Sequence, residues 1–576
     1  MGSRRGIIAL VVFLTLLGSV ALFAAMHLYH PVTSGGAGQL LVYDVPSEID
    51  ESAPVFNGFS LGALRRERPT IHEVTSAIRA AAEDDDVHGM VLHIAGLGWG
   101  WARIAEMREA LAAFRAAGKP IYASLAGGSE AEYLLAASAA RIAMPQTSML
   151  QLDGLTASAM FLKGAYDKLG ITPNYAHVGQ FKSAVEQYTR TDLSPPARAA
   201  MEALLDDEYR VLVDTLAAAR HVSGDSLRHL IDDGPYTAPA AVTAGLVDTL
   251  LDESDVDSLA AGHGHRALEV VTMTHYLDRA TPPANGSHIA LVIASGTIMG
   301  GKSSDSPWNG RQLGSETLVA ALREARERKA VKAVVLRVDS PGGSGQASEE
   351  VWQEVRRVRR VKPVVVSMGN LAASGGYYIA CGADAIVAEP NTLTGSIGVF
   401  GGKLNILGLY RKLGLNVETV SRGKHAEMFS SFKDFTPEEA QRFQAQMDAF
   451  YQVFIGRVAD GRHMTRAQVD SIGQGRVWSG LQGRHLGLVD SLGGLQTAVA
   501  IARARAHIAR NADVLLDVYP RPRRTYFQRM LGNMFEDQND ESRLLMLTPI
   551  MQAWLSASQF PTGTAMALMP YSIDIH

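Results

Sequence analysis

A single cysteine, Cys381, stands in a chain of 576 residues, so no intrachain disulfide is possible and a disulfide-held scaffold is excluded. There is no strong excess of either charge: 54 Lys and Arg face 59 Asp and Glu, for a net charge of −5. The basic residues are dispersed, which argues against a nucleic-acid partner. No phosphate loop, zinc-ligand spacing or dinucleotide fingerprint occurs, so no ATP, metal or other cofactor is expected. What is there is the composition of a folded chain, 20% charged and 7% aromatic, with length for two to four domains. One apolar run carries no charge, from Gly6 to about Met26. A helix of ~20 residues rises ~30 Å, enough to cross a bilayer core. Arg4 and Arg5 precede the run and no Lys or Arg follows until Arg65, which puts the N-terminus in the cytoplasm and the rest outside. The expectation is a retained single-pass anchor over residues 1–30 in the inner membrane, with the folded part on the periplasmic, extracytoplasmic side. A cleaved signal peptide is the competing reading; the length of the run and the lack of a small-x-small site favour the anchor.

The chain also repeats itself. Val331-Lys-Ala-Val-Val-Leu-Arg-Val-Asp-Ser-Pro-Gly-Gly-Ser344 follows Val87-His-Gly-Met-Val-Leu-His-Ile-Ala-Gly-Leu-Gly-Trp-Gly100 by about 244 positions, with Val87, Val91 and Leu92 matching Val331, Val335 and Leu336. Ala244-Gly-Leu-Val-Asp248 returns as Leu486-Gly-Leu-Val-Asp490. Short β-branched runs (Leu40–Val45, Ile289–Gly296, Val334–Val338, Pro363–Ser367) alternate with amphipathic helical patterns (Ser348–Arg359, Pro437–Ala459). Such alternation predicts α/β domains with largely parallel sheets. The expected organisation is an anchor over 1–30, a first copy over 31–277, a linker over 278–288, a second copy over 289–506 and a C-terminal arm over 507–576. The Met-rich end of the arm, Leu544–Met569, either covers the body, packs on a partner subunit or grazes a membrane.

Two elements of the second copy point to chemistry. Ser374 follows a strand (Val364–Ser367) and an expected turn (Met368–Ala373) and opens a helical pattern, Ser374–Ala380. A serine there directs its hydroxyl into a cleft beside unpaired helix amides, and Gly375 and Gly376 leave room for a substrate backbone. The bland alternative is an N-cap serine. Asp339-Ser-Pro-Gly-Gly-Ser344 ends a strand, and the amides of Gly342 and Gly343, with that of Gly375, have the makings of an oxyanion hole. Taken alone, a Pro-Gly-Gly turn is weak evidence.

Arg337-Val-Asp-Ser-Pro-Gly-Gly-Ser344, Ala373-Ser-Gly-Gly-Tyr-Tyr378 and Thr394-Gly-Ser-Ile-Gly-Val-Phe400 resemble signal peptide peptidase A (SppA), a family of membrane-bound serine peptidases, and the resemblance runs over nearly the whole chain in its long, tandem form. It implies two tandem α/β domains of Clp-protease/crotonase type. It also implies a Ser–Lys dyad with the serine in the second copy and the lysine in the first, remnant signal peptides or other apolar peptides as substrates, and a homotetramer. The family's serine motif falls on Ser374, and its Gly-x-x-Lys-Ser-Ala motif on Gly179–Ala184, which makes Lys182 the base.

The repeat supports that division. Lys182 aligns with Ala426, and Ser129 with its neighbour Glu130 aligns with Ser374 and Gly375. A carboxylate at Glu130 is expected to repel an oxyanion, and Leu97-Gly98-Trp99 replaces Pro-Gly-Gly, so each copy is half-equipped. Lys424 is a competing base if the register slips, and His425 a competing one in a Ser-His-Asp arrangement. Ser183 either orients the lysine amine or is an exposed helix serine. Ser396 lines the groove or serves only its turn. Beyond a peptidase, a crotonase-like, non-proteolytic acyl-transfer enzyme and a degenerate membrane-tethered scaffold remain as readings.

Overall fold

The computed structural model describes residues 38–53, 68–262, 268–279, 285–306, 310–510, 512–521, 565–569 and 574–575. The expected anchor lies outside them. Among the described residues no helix is long and apolar enough to cross a membrane.

Two sheets form the body, the first parallel and the second largely so. The first is built entirely from the front of the chain, in the order Glu269–Thr272, Gln39–Val45, Val87–Ile94, Ile121–Leu125, Arg141–Met144, Thr249–Leu250. The second repeats that plan with Val514–Tyr519, Ser287–Ser295, Val331–Ser340, Val364–Ala373 and Ala385–Ala388. The β-branched runs become strands because both sheet faces are covered, so consecutive residues are apolar rather than alternating. Each sheet has its own principal core, one around Val334, Leu336 and Val366, the other around Met90, Leu92 and Ala123. The long helices Pro195–Arg220 and Pro437–Arg462 start alike, with Pro in the first turn after a capping Ser194 or Thr436 that accepts an amide.

Among the contacts that join the copies, two bear on the site. Arg337, in the second sheet, is buried and donates to Glu51 at 2.9 and 3.0 Å and to Glu106 at 2.7 Å, both from the first copy. Arg103 of the first copy pairs with Glu51 and with Asp339. On the other side, a third, mixed sheet runs Ser304–Ser306, Gly310–Gly314, Thr297–Met299, Gly342–Ser344, Met566–Leu568, Val399–Asn405, Thr172–Val178. Its last strand comes from the first copy and pairs antiparallel with Val399–Asn405 over seven residues. That strand leads directly to Lys182.

Two local expectations are revised. Residues 368–373 are not a turn: the strand continues to Ala373, with its register against Val331–Ser340 shifting between Val338 and Ser340. Pro-Gly-Gly is likewise not a free turn. Gly342–Ser344 is a strand of the third sheet, paired with Ile298 on one side and with Met566–Leu568 on the other.

Candidate active site

Ser374 is the residue between strand Val364–Ala373 and helix Gly375–Ala380. Its backbone has φ 54° and ψ −113°, a region that non-glycine residues seldom occupy. The conformation is held by Ser374 N–H donating to Gly395 O at 2.8 Å and by Tyr378 N–H donating to Ser374 O at 2.8 Å. Gly375, first in the helix, has an amide with no intrahelical acceptor. A Cβ on Gly376 would lie 2.7 Å from Ser340 O, so the helix approaches the Asp339–Gly343 segment only because that position is glycine.

Lys182 reaches this serine from 192 positions earlier: Lys182 Nζ lies 2.8 Å from Ser374 Oγ. The amine also contacts Ser396 Oγ at 2.9 Å and Ser396 O at 3.2 Å. Ser396, like Ser374, has positive φ, at 49°. Its amide donates to Arg476 O at 2.7 Å, which ties it to the loop that seats the lysine. Lys182 is 1% exposed. Burial holds its pKa well below the ordinary lysine range, and no carboxylate acts to restore it.

The lysine stem lies on glycines of the second copy. A Cβ on Gly475 (φ 78°) would come within 2.6 Å of Lys182 Cβ and N, and one on Gly398 within 3.1 Å of Lys182 Cδ. Phe181 N–H donates to Gln474 O at 2.8 Å, and Gly475 N–H to Ile397 O at 2.7 Å. Sequence reasoning did not single out Gly398 or Gly475; Gly475 at least sits in a Gly-Gln-Gly run whose backbone freedom is a usable signal.

The remaining candidates divide. Ser183 is buried and its hydroxyl faces Phe181 O at 3.4 Å, so the lysine amine is oriented by Ser396 instead. Gly342 N–H turns back to Ser340 Oγ at 3.2 Å, while Gly342 and Gly375 lie against one another. Lys424 is exposed and pairs with Glu438, and His425 lies near Glu438 and Glu439; neither is brought to Ser374. In the first copy Glu130 turns away from Ser129 and accepts the amides of Asp153 and Gly154 at 2.9 and 2.8 Å. The carboxylate beside Ser129 is Glu132's, a correction to the sequence-based expectation. Among the described residues no cluster of His, Cys, Asp and Glu is arranged to hold a metal.

A buried amine with a lowered pKa against a strained serine is equipment for acyl transfer, and comparison with known proteins bears on which kind. Peptidase family S49 matches the chain twice, over residues 113–264 and 356–509. The chain belongs to peptidase family S49. The chain is 36% identical to the chloroplastic serine protease SPPA of Arabidopsis thaliana over 453 residues, 77% of this chain and 66% of that protein. It is 36% identical to Protease 4 of Salmonella typhi over 475 residues, 80% of this chain and 75% of that one. Protease 4 of Haemophilus influenzae is 33% identical over 446 residues, 74% and 71% of the two chains. This S49 chain is therefore a serine peptidase of SppA type, and the crotonase-like acyl-transfer and scaffold readings fall away.

Proposed function

We propose that this S49 peptidase cleaves apolar peptides, remnant signal peptides among them, through a Ser374–Lys182 dyad assembled from both copies. The observation that carries the reading is the 2.8 Å contact between a fully buried amine and the serine hydroxyl. A neutral amine has two N–H donors and one lone pair. With the donors directed at Ser396 O and Oγ, the lone pair is left for the Ser374 proton. Lys182 removes that proton as Ser374 Oγ attacks the peptide carbonyl, then returns it to the departing amine. Water, deprotonated by the same amine, releases the acyl group from Ser374. The Gly375 amide, with that of Gly343, receives the developing oxyanion, since the Gly342 amide already donates to Ser340 Oγ; Gly376 leaves room for the substrate backbone. Lys182→Met is expected to abolish peptide hydrolysis while Lys424→Ala retains it; full activity in the Lys182 variant would remove the dyad.

Support for apolar substrates comes from the flanking surfaces, Ala184, Val185 and Phe400 on one side and Leu204, Ala373 and Val477 on the other. A putative signal peptide peptidase SppA of Enterococcus faecium is 38% identical over 183 residues, 32% of this chain and 53% of that protein. The apolar run Gly6–Met26 supports an inner-membrane anchor holding the site at the extracytoplasmic surface.

The homotetramer also draws support from the repeat. Inside the chain Gly170 and Gly408 pack against one another, but a Cβ added to either of their counterparts across the repeat, Gly414 and Gly164, would meet nothing within 4 Å. Ile171 is 2% exposed, whereas its counterpart Leu415 is 49% exposed. A second subunit offering Gly164 to Gly414 would reproduce the internal contact head to tail, the interface type that closes into rings. Sedimentation of Gly414→Arg as a smaller species than the parent protein is the expected outcome.

A further inference from the structure

The C-terminal arm returns to the site. Met566–Leu568 is an antiparallel strand between Gly342–Ser344 and Val399–Asn405, in the register Gly342 with Leu568, Gly343 with Ala567, Ser344 with Met566, and Phe400 with Met566. Met569 N–H donates to Pro341 O at 2.7 Å, and Gly345 N–H to Ala565 O at 3.0 Å. Main-chain pairing of this kind holds an extended peptide whatever its sequence, while pockets for its side chains select which peptide.

Both side-chain pockets are those flanking the dyad. Met566, 2% exposed, packs with Ala184, Val185 and Phe400, two and three residues beyond Lys182. Met569, 6% exposed, packs with Leu204, Val477 and Ala373, the residue before Ser374. Between them the carbonyl oxygen of Ala567 points at the glycines: a Cβ on Gly342 would lie 2.0 Å from it, and one on Gly375 3.0 Å. Gly342 must therefore be glycine for this carbonyl to approach, and Gly375 leaves it room. An extended backbone, a small residue whose carbonyl meets the Gly375 corner and apolar side chains on both sides are together the pose a peptide takes to be read by this groove.

We propose that residues 565–569 are an intramolecular pseudosubstrate, occupying the peptide groove of the resting enzyme and competing with incoming apolar peptides. No bond is made or broken in this occupancy; the segment is held by the pairings and the two pockets. Tethering gives such a segment an effective concentration of order millimolar, so a free peptide must outcompete it before Ser374 is reached. The catalytic consequence rests on the peptidase reading above; the occupancy itself does not.

The test separates the two. In the Ser374→Ala background a fluorescent peptide of sequence Thr-Ala-Met-Ala-Leu-Met-Pro is titrated into the full chain and into a chain ending at Thr564. Tighter binding to the shortened chain, by about 10-fold or more, is expected. Equal affinity for the two chains, or binding to neither, overturns the proposal. In the Ser374 enzyme the same shortening is expected to lower KM for a short apolar peptide about as much, with kcat within about 2-fold; an unchanged KM counts against it. Should the shortened chain fail to fold, the full-length Met566→Asp/Met569→Asp variant unseats both anchors with the same expectations. Tighter peptide binding in chains that hydrolyse nothing would retire the peptidase reading and leave the occupancy standing.

Discussion

The two serine corners of this chain started as the same structure, and their differences show what the active one requires. At Ser129 the backbone is relaxed, with φ −102° and ψ −162°. Its hydroxyl and amide both donate to the Glu132 carboxylate, at 2.9 and 2.8 Å, and the other Glu132 oxygen accepts Leu97 N–H at 2.6 Å. Leu97 is the repeat counterpart of Pro341. One carboxylate thus consumes the hydroxyl, the serine amide and an amide of the facing loop. At Ser374 the backbone is strained, the serine amide donates to a backbone carbonyl, Gly395 O, and the hydroxyl meets an amine. The first corner uses its serine to cap a helix. The second forgoes that stabilisation, and its strain, of order 1–3 kcal/mol, is offset by packing of the surrounding second copy.

The largest expected difference between the corners lies in the serines. Ser374→Ala should lower kcat by about 10⁴-fold or more, and Ser129→Ala should leave it within about 2-fold while costing about 1 kcal/mol as a lost cap. Equal effects on turnover would break the comparison. Next, Gly475→Ala places a methyl against the Lys182 backbone. A displacement of ~1 Å at the reacting groups is expected to cost about 10²-fold in kcat, with KM nearly unchanged, in single-turnover assays. Ser396→Ala removes one of two partners directing the Lys182 amine, and a loss of about 10-fold in kcat is expected, partly restored by Ser396→Thr.

A smaller effect sharpens the electrostatics. Because burial lowers the Lys182 pKa, the unfolded chain binds a proton at this residue that the folded chain does not, at any pH between the lowered value and the ordinary one near ~10.4. In that window stability rises with pH, and the penalty is absent above ~10.4, where both states are neutral. Lys182→Met should therefore be more stable than the parent at neutral pH, with the difference shrinking as pH approaches 10. Denaturant midpoints across pH read this directly; a destabilised variant at pH 7 would indicate a paired, charged lysine.

Much of this was legible beforehand, for physical reasons that differ by element. The paired apolar strands at Val87 and Val331 stand out because a sheet covered on both faces needs uninterrupted apolar runs. Ser374 and the Pro-Gly-Gly segment stand out because close backbone approach demands glycine, and Lys182 because the resemblance places the family's lysine motif on Gly179–Ala184, with alanine at its counterpart in the repeat. The role of Ser396 was left open, since a hydroxyl in a turn has local uses that sequence does not distinguish from a long-range one. Glu132, rather than Glu130, as the anion beside Ser129 was missed. Helical geometry decides which of two nearby carboxylates turns back to the cap, and Glu132 at the third helical position is the one that reaches it. The glycines under Lys182 and the strand at Met566–Leu568 involve partners hundreds of positions apart, and no local pattern reports them.

By itself the sequence determined the duplicated α/β plan and the inventory of reactive groups, because apolar periodicity and glycine placement act over a few residues at a time. Only the tertiary structure decided that the amine of one copy lies against the alcohol of the other, that burial lowers the pKa of this amine, and that the tail lies across them. Those facts depend on burial and on contacts between distant segments, and burial belongs to the packed molecule, not to any residue type.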